Sequence, residues 1–189
     1  MEDLNIITIV FIAISLAIDA FAVSIAIGSV IRILKFKHAT RVALFFGLFQ
    51  GVMPVIGWSA GMTFVRYLGT AGPIIAFIIL LLLGMKMIYE SRQLDSSTLP
   101  ADPLNFMSLI LFGIATSIDA LGVGFSFSCI QVTVIMPAII ISVVTFMMSF
   151  GGVYIGDRLG HLFENKIELA AGIILIGVGF KILLENLVF

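Results

Sequence analysis

What most constrains this chain is how rarely a charge interrupts its apolar runs. Between Asp3 and Arg32 the only charged residue is Asp19. No charge lies between Arg41 and Arg66, or between Arg66 and Lys86. From Asp102 to Asp157 the only charge is Asp119. A helix needs about 20 apolar residues to cross the hydrocarbon of a bilayer, so the first three stretches each read as one span. The fourth is long enough for two, with Gln131, Thr133 and Pro137 marking the turn. A sixth apolar run reaches from Glu168 to the C-terminus. Strands of a membrane barrel would alternate polar and apolar residues, and these runs do not. The expected fold class is an all-α membrane protein of six transmembrane helices. Hydrophobic residues make up 61% of the 189 and charged ones 11%. A soluble domain carries about a quarter charged residues, so a soluble enzyme is excluded on the same ground.

The apolar run after the acidic MEDLN leader is too long for a signal-peptide core. The clearest polar linker is SRQLDSSTLPADP, Ser91–Pro103. Orientation follows from Lys and Arg near the span ends. Arg32, Lys35, Lys37, Arg41, Arg92, Arg158 and Lys166 fall on one side, and Arg66 alone on the other. Both termini are therefore expected on the non-cytoplasmic face. Ten basic residues against 11 acidic leave a net charge of −1, with no footprint for nucleic acid. One cysteine, Cys129, and two histidines, His38 and His161, exclude a disulfide framework and a zinc site of several imidazoles. Nothing in the chain asks for a cofactor or speaks to oligomeric state.

The spans repeat. Ile18, Asp19, Ala20 and Val23 recur as Ile118, Asp119, Ala120 and Val123, an offset of 100. Gly84, Lys86 and Glu90 recur as Gly179, Lys181 and Glu185, an offset of 95, and Gly57 and Gly61 recur as Gly152 and Gly156 at the same offset. The basic segment RILKFKH, read as a longer first loop, accounts for the difference. Chance similarity between apolar helices explains matched Leu and Ile, not matched Asp and matched Gly-x-Lys-x-x-x-Glu in order. The chain reads as two three-helix repeats. Residues 1–92 hold spans near 5–31, 41–65 and 71–91; 93–103 is a cytoplasmic linker; 104–189 hold spans near 104–130, 134–157 and 167–188. Three is odd, so the second repeat is inverted, a plan recurrent in secondary transporters with the site near the midplane.

Asp19 lies ~20 Å along its span, counting about 1.5 Å per residue from Ile6. Asp119 has the same depth by the repeat. A carboxylate there costs at least ~2.5–3.5 kcal/mol, so it should face the bundle interior and have a partner. A pseudo-two-fold could bring the two together. Two carboxylates close together in low dielectric repel, so one takes a proton or a cation sits between them. Ser15, Asp19, Ala22 and Ala26 share a helix face, as do Ala115, Asp119, Gly122 and Ser126. Thr116 and Ser117 add hydroxyls. The second span offers Gln50, Met53 and Pro54, and a proline in mid-helix frees a backbone carbonyl that can ligate an ion. The candidate cation ligands are Asp19, Asp119 and Gln50, with Met53, Ser15 and Thr116 behind them. The plain alternatives are protonated aspartates that only pack, a glutamine that glues helices, and a methionine that fills space.

Lys86 and Glu90 stand four apart on the third span, and Lys181 and Glu185 four apart on the sixth. Each pair can neutralise itself on its own helix, as a gate at each mouth or as self-paired helix ends. The Gly-x-x-x-Gly pairs Gly47/Gly51, Gly57/Gly61, Gly152/Gly156 and Gly156/Gly160 read as helix packing. His38 and His161 read as solvated loop residues, and Cys129 as a small apolar one.

The Asp19–Ala22 motif, FGLFQGVMPVIGWSAG at Phe46–Gly61, GMKMIYE at Gly84–Glu90 and TSIDALGVG at Thr116–Gly124 occur in order over nearly the whole chain. In these the sequence resembles the manganese efflux pump family of the MntP type, related to LysE-like exporters. The resemblance implies an exporter of Mn²⁺ in a bacterial inner membrane, with six helices and functional Asp19 and Asp119. Some members carry an acid where Gln50 stands, and relatives often have Ser at the position of Ala17. Oxygen ligands suit Mg, Ca and Mn. The expected partners are the bilayer, a divalent cation with Mn²⁺ foremost, and protons exchanged at the Asp pair. With no nucleotide-binding loop, export must draw on an ion gradient or the membrane potential. The alternatives are an exporter of another divalent cation or small solute, a non-transporting membrane scaffold, and an intramembrane aspartyl protease. The last lacks its Gly-x-Gly-Asp context, since Asp119 follows Thr-Ser-Ile.

Overall fold

A computed structural model of the protein describes residues 5–31, 36–68, 72–90, 103–159 and 176. Five helices fill them: α1 (Ile6–Val30), α2 (Phe36–Leu68), α3 (Gly72–Glu90), α4 (Phe106–Cys129) and α5 (Ile135–Leu159). No strand occurs among the described residues. Each helix is built on one of the apolar runs, with α4 and α5 sharing the fourth. In lipid the backbone has no water to bond, and a helix satisfies nearly all of its polar groups internally. Four helices, α1, α2, α4 and α5, are long and apolar enough to cross a membrane. The protein is a multi-pass, all-helical membrane protein. The 19 residues of α3 coincide with the expected third span. The expected sixth span, 167–188, lies outside the described residues except for 176.

Local chemistry sets the helix ends. The Asn5 side chain accepts a hydrogen bond from the Ile7 N–H at 3.1 Å and caps α1. At the other end of the α4 run the chain turns through Gln131, whose φ is 57°. The Val132 N–H reaches back to Phe127 O at 2.9 Å, and Gln131 N–H to Ser128 O at 3.1 Å. These two bonds are the Schellman closure of a helix, with Gln131 in the left-handed position usually given to glycine. Trp58 on α2 ties this turn down by donating its indole N–H to Val132 O at 2.8 Å. Pro137 falls in the first turn of α5, where no N–H is needed. The basic segment departs from expectation. α2 begins at Phe36, so Lys37, His38 and Arg41 stand on its first turns and not in a loop. His38 is half-buried, not solvated.

The broadest interfaces are α1 with α5 and α2 with α4, followed by α2 with α5. Glycines create them. A side chain at Gly57 would strike the Leu121 backbone, and one at Gly124 the Pro54 backbone. At Gly152 it would strike Phe21 and Ser24, and at Gly156 the Ile25 backbone. Phe49 lies against Gly113 at one end of the α2–α4 contact and Gly61 against Ser128 at the other. These two helices therefore run parallel, so the chain between them, which includes α3, returns to the side on which α2 begins. Ser142 of α5 donates to Gly47 O of α2 at 2.8 Å where those helices touch. The outward faces carry exposed apolar side chains such as Leu44, Leu48, Leu111 and Met147, as a lipid-facing surface does. A cleft of about 310 Å³ between α2 and α5 is lined by Leu48, Val52, Ile135, Ile139 and other mainly apolar residues. No acidic residue lines it.

Two apolar clusters form the interior. The first joins Ile12, Leu16, Ile18, Ala120, Phe127 and Ile141, among others. The second joins Ala20, Ile27, Val42, Phe46, Leu109 and Val153, among others. Each of the four helices α1, α2, α4 and α5 contributes to both.

Candidate functional site

The site lies where the helices pass from one cluster to the other. On α1 the change falls between Ile18 and Ala20, and the residue between them is Asp19. On α2, Phe46 belongs to the second cluster and Met53 packs on the first, with Gln50 between. On α4, Phe112 packs on the second cluster and Ala120 belongs to the first; Thr116, Ser117 and Asp119 lie between. On α5, Ile141 and Met148 go with the first cluster and Phe150 and Val153 with the second. Ser149 stands in that passage, with Thr145 one turn before it on the first-cluster side. Four helices thus interrupt their apolar faces with oxygen-bearing side chains at the same junction.

Burial there is nearly complete for all but Asp19. Asp119 is 3% exposed, and Gln50, Thr145 and Ser149 are 0% exposed. Asp19 is half-buried. The Gln50 amide donates from Nε2 to Leu16 O on α1 at 2.6 Å, one turn before Asp19. Its Oε1 is buried with no hydrogen-bond partner among the described residues. Pro54 has no N–H to offer the main-chain carbonyl of Gln50, four residues back. Gln50 is thus tied to α1 by its nitrogen and presents oxygen to the interior. A buried acceptor without a partner is costly in low dielectric, and a cation would relieve that cost.

The sequence-derived candidates divide. Asp19, Asp119 and Gln50 all sit at the junction, and Gln50 is brought against the Asp19 helix. Ser15 and Thr116 are buried, but each donates its hydroxyl to its own helix, to Phe11 O at 3.0 Å and Phe112 O at 2.9 Å. Met53 packs against the first apolar cluster, the surroundings of a filler. Lys86 and Glu90 lie on the last turns of α3, far along the chain from the junction, and Lys181 and Glu185 lie outside the described residues. Among the described residues no three His, Cys, Asp or Glu side chains gather; those at the junction offer a cation two carboxylates and several neutral oxygens. Cys129 is buried at the end of α4 as a free thiol. Thr145 and Ser149 escape a reading of the sequence that starts from the aspartates. A signal for them exists: the offset of 95 that takes Gly57 to Gly152 takes Gln50 to Thr145 and Pro54 to Ser149.

A family model described as "Putative manganese efflux pump" matches residues 31–183. The chain belongs to the MntP family. A protein of Rippkaea orientalis is 47% identical over 178 residues, covering 94% of this chain and 95% of its own length. One of Methanothermobacter thermautotrophicus is 41% identical over 186 residues, covering 98% of this chain and 100% of its own. One of Methanosarcina acetivorans is 46% identical over 178 residues, covering 94% and 95%. Each relative carries the name "Putative manganese efflux pump MntP". MntP is a family of transporters and not of enzymes. No solved structure matches the chain.

Proposed function

We propose that this MntP member exports Mn²⁺ from the cytoplasm by alternating access, with the ion bound between Asp19 and Asp119 and ligated also by Gln50. The observation that carries this reading is the buried junction where four apolar helices each turn to oxygen-bearing residues. The names of the relatives support the ion. So does the donor chemistry, since carboxylate, amide, hydroxyl and carbonyl oxygens suit a hard divalent cation. Two ionised carboxylates also balance the charge of one divalent ion, and a neutral assembly costs least in low dielectric. No cofactor is needed for this chemistry; Mn²⁺ is the substrate.

The alternation itself comes from two inverted repeats, 1–92 and 104–189, joined by the cytoplasmic linker 93–103, with a sixth span at 167–188. Contacts that exchange under the offsets of 95 and 100 support this: Gly57 abuts Leu121 and Gly152 abuts Phe21, while Gly61 meets Phe125 and Gly156 meets Ile25. Rocking of one repeat against the other would expose the junction to each side in turn. Protons returning through the same carboxylates would drive export. With the termini outside a bacterial inner membrane, the Lys- and Arg-rich ends face the cytoplasm.

The test is survival and cell metal content across a panel of divalent metals, with and without the gene. Asp19→Asn and Asp119→Asn should each abolish manganese tolerance at unchanged membrane abundance. Tolerance that survives both substitutions would end the paired-aspartate reading, and loss of abundance would favour a scaffold. Protection against a different metal alone would reassign the substrate. For coupling, metal uptake into voltage-clamped vesicles should move internal pH; an unchanged pH would exclude proton exchange.

A further inference from the structure

We infer that Thr145, with Ser149 one turn on, supplies hydroxyl oxygens from α5 to the transported divalent cation, an inference that rests on the aspartate-centred reading above. Hydroxyls in helices ordinarily donate to a carbonyl three or four residues back. This chain follows that habit at Ser24, Thr40, Ser59, Thr116, Ser117 and Ser126. Thr145 and Ser149 break it. Both side chains are 0% exposed, and neither hydroxyl oxygen has a hydrogen-bond partner among the described residues.

Their position gives the break a meaning. Thr145 and Ser149 share one face of α5, four residues apart. Ser149 lies where α5 passes between the two apolar clusters, between Met148 and Phe150, the junction that on other helices holds Asp19, Gln50 and Asp119; Thr145 lies one turn before it, between Val144 and Met148 of the first cluster. Thr145 also stands 95 residues after Gln50, whose Oε1 is likewise buried with no hydrogen-bond partner among the described residues. On α2 the open oxygen belongs to Gln50, tied to α1 one turn before Asp19. By the repeat the counterpart of α2 is α5, which packs against α1, the helix of Asp19, and against α2; its open oxygens are those of Thr145 and Ser149. Two hydroxyls one turn apart also give the ion a step along its path. They carry no charge, so they complete the shell of a hard cation without upsetting the balance set by two carboxylates.

The experiment uses the full chain in proteoliposomes, with Mn²⁺ as the probe. Thr145→Val removes the hydroxyl at nearly constant volume. Its KM for Mn²⁺ should rise roughly ten-fold, the low end of what loss of a supporting group costs a metal site. Thr145→Ser should stay within about two-fold of the parent, since it restores the oxygen and not the shape. Without metal, Thr145→Val should melt no lower than the parent, because a methyl replaces a buried hydroxyl that has no partner. Mn²⁺ should protect the parent against heat and protect Thr145→Val less. An unchanged KM and unchanged Mn²⁺ protection, with Asp19→Asn still inactive, would overturn the role of Thr145 and leave the aspartate site standing. A lower melting point without metal that Thr145→Ser restores would make the hydroxyl structural, and so also overturn it. If Thr145→Val does not accumulate, Thr145→Ala is judged by the same measurements. Full transport by Asp19→Asn and Asp119→Asn would remove both readings together.

Discussion

At the residue scale, the polar side chains of this protein are of two kinds. Ser15, Ser24, Thr116 and Ser126 donate to their own helices, and their burial is thereby compensated. Gln50 is different, because only its nitrogen is engaged within the described residues. Gln50→Leu keeps the volume, removes the open oxygen and breaks the bond to Leu16. It should lower the apparent affinity for Mn²⁺ by about ten-fold or more, read as a rise in KM at similar protein abundance. Gln50→Glu tests charge. It adds a third acid near the junction, and it should shift metal preference or pH dependence without abolishing transport. A loss of all activity would show that the neutral amide, and its bond to Leu16, is required. Trp58→Phe is a control away from the junction. It removes the bond to Val132 that holds the α4–α5 turn, costs about 1 kcal/mol, and should lower thermal stability with KM unchanged.

At the element scale, close helix contact depends on glycine. The interfaces of α1 with α5 and of α2 with α4 bring backbone against backbone at Gly57, Gly124 and Gly156. A membrane gives helices no hydrophobic reason to associate, so close packing of small residues must hold them. Gly57→Ala and Gly156→Ala each insert a methyl against a backbone that cannot retreat as a flexible side chain would. Each should destabilise by about 1–3 kcal/mol, seen as a lower melting temperature in detergent. Gly151 is the matched control, since a side chain there would meet nothing within 4 Å. Gly151→Ala should be neutral or gain up to about 1 kcal/mol from helix propensity. Equal losses at all three would mean that glycine serves helix flexibility here and not close approach.

At the scale of the whole molecule, the α2–α4 pair is the informative one. Parallel neighbours with α3 between them fit a chain that crosses the membrane at every helix. The bias of Lys and Arg predicts both termini outside, a proposal that single-cysteine labelling tests in a Cys129→Ala background. Cysteines introduced at residues 2 and 188 should react with a membrane-impermeant maleimide in intact cells, and one at residue 96 should not. Labelling of residue 96 alone would invert the topology. Labelling at residue 2 but not at 188 would give an odd number of spans, and the inverted six-helix plan would fall.

Much of the architecture is legible in the amino-acid sequence alone. The near-absence of charge names lipid as the solvent, and the apolar run lengths give helices where α1, α3, α4 and α5 are found. Asp19 and Asp119 stand out because charge in hydrocarbon is costly and therefore scarce. The α4–α5 turn at Gln131 is visible too, as a polar interruption. The tertiary structure decides which oxygens are engaged. Sequence alone ranks Ser15 and Thr116 above Thr145, since it sees only that each bears a hydroxyl near an aspartate. Whether a hydroxyl is satisfied depends on backbone and neighbours across helices, and those are set by where glycines let α1 approach α5 and α2 approach α4. The same contacts move Met53 into an apolar cluster and tie Gln50 to Leu16, 34 residues away in the chain. Hydropathy is a property of each residue in its solvent and survives in the linear text; hydrogen-bond satisfaction is a property of pairs and arises only when the helices meet.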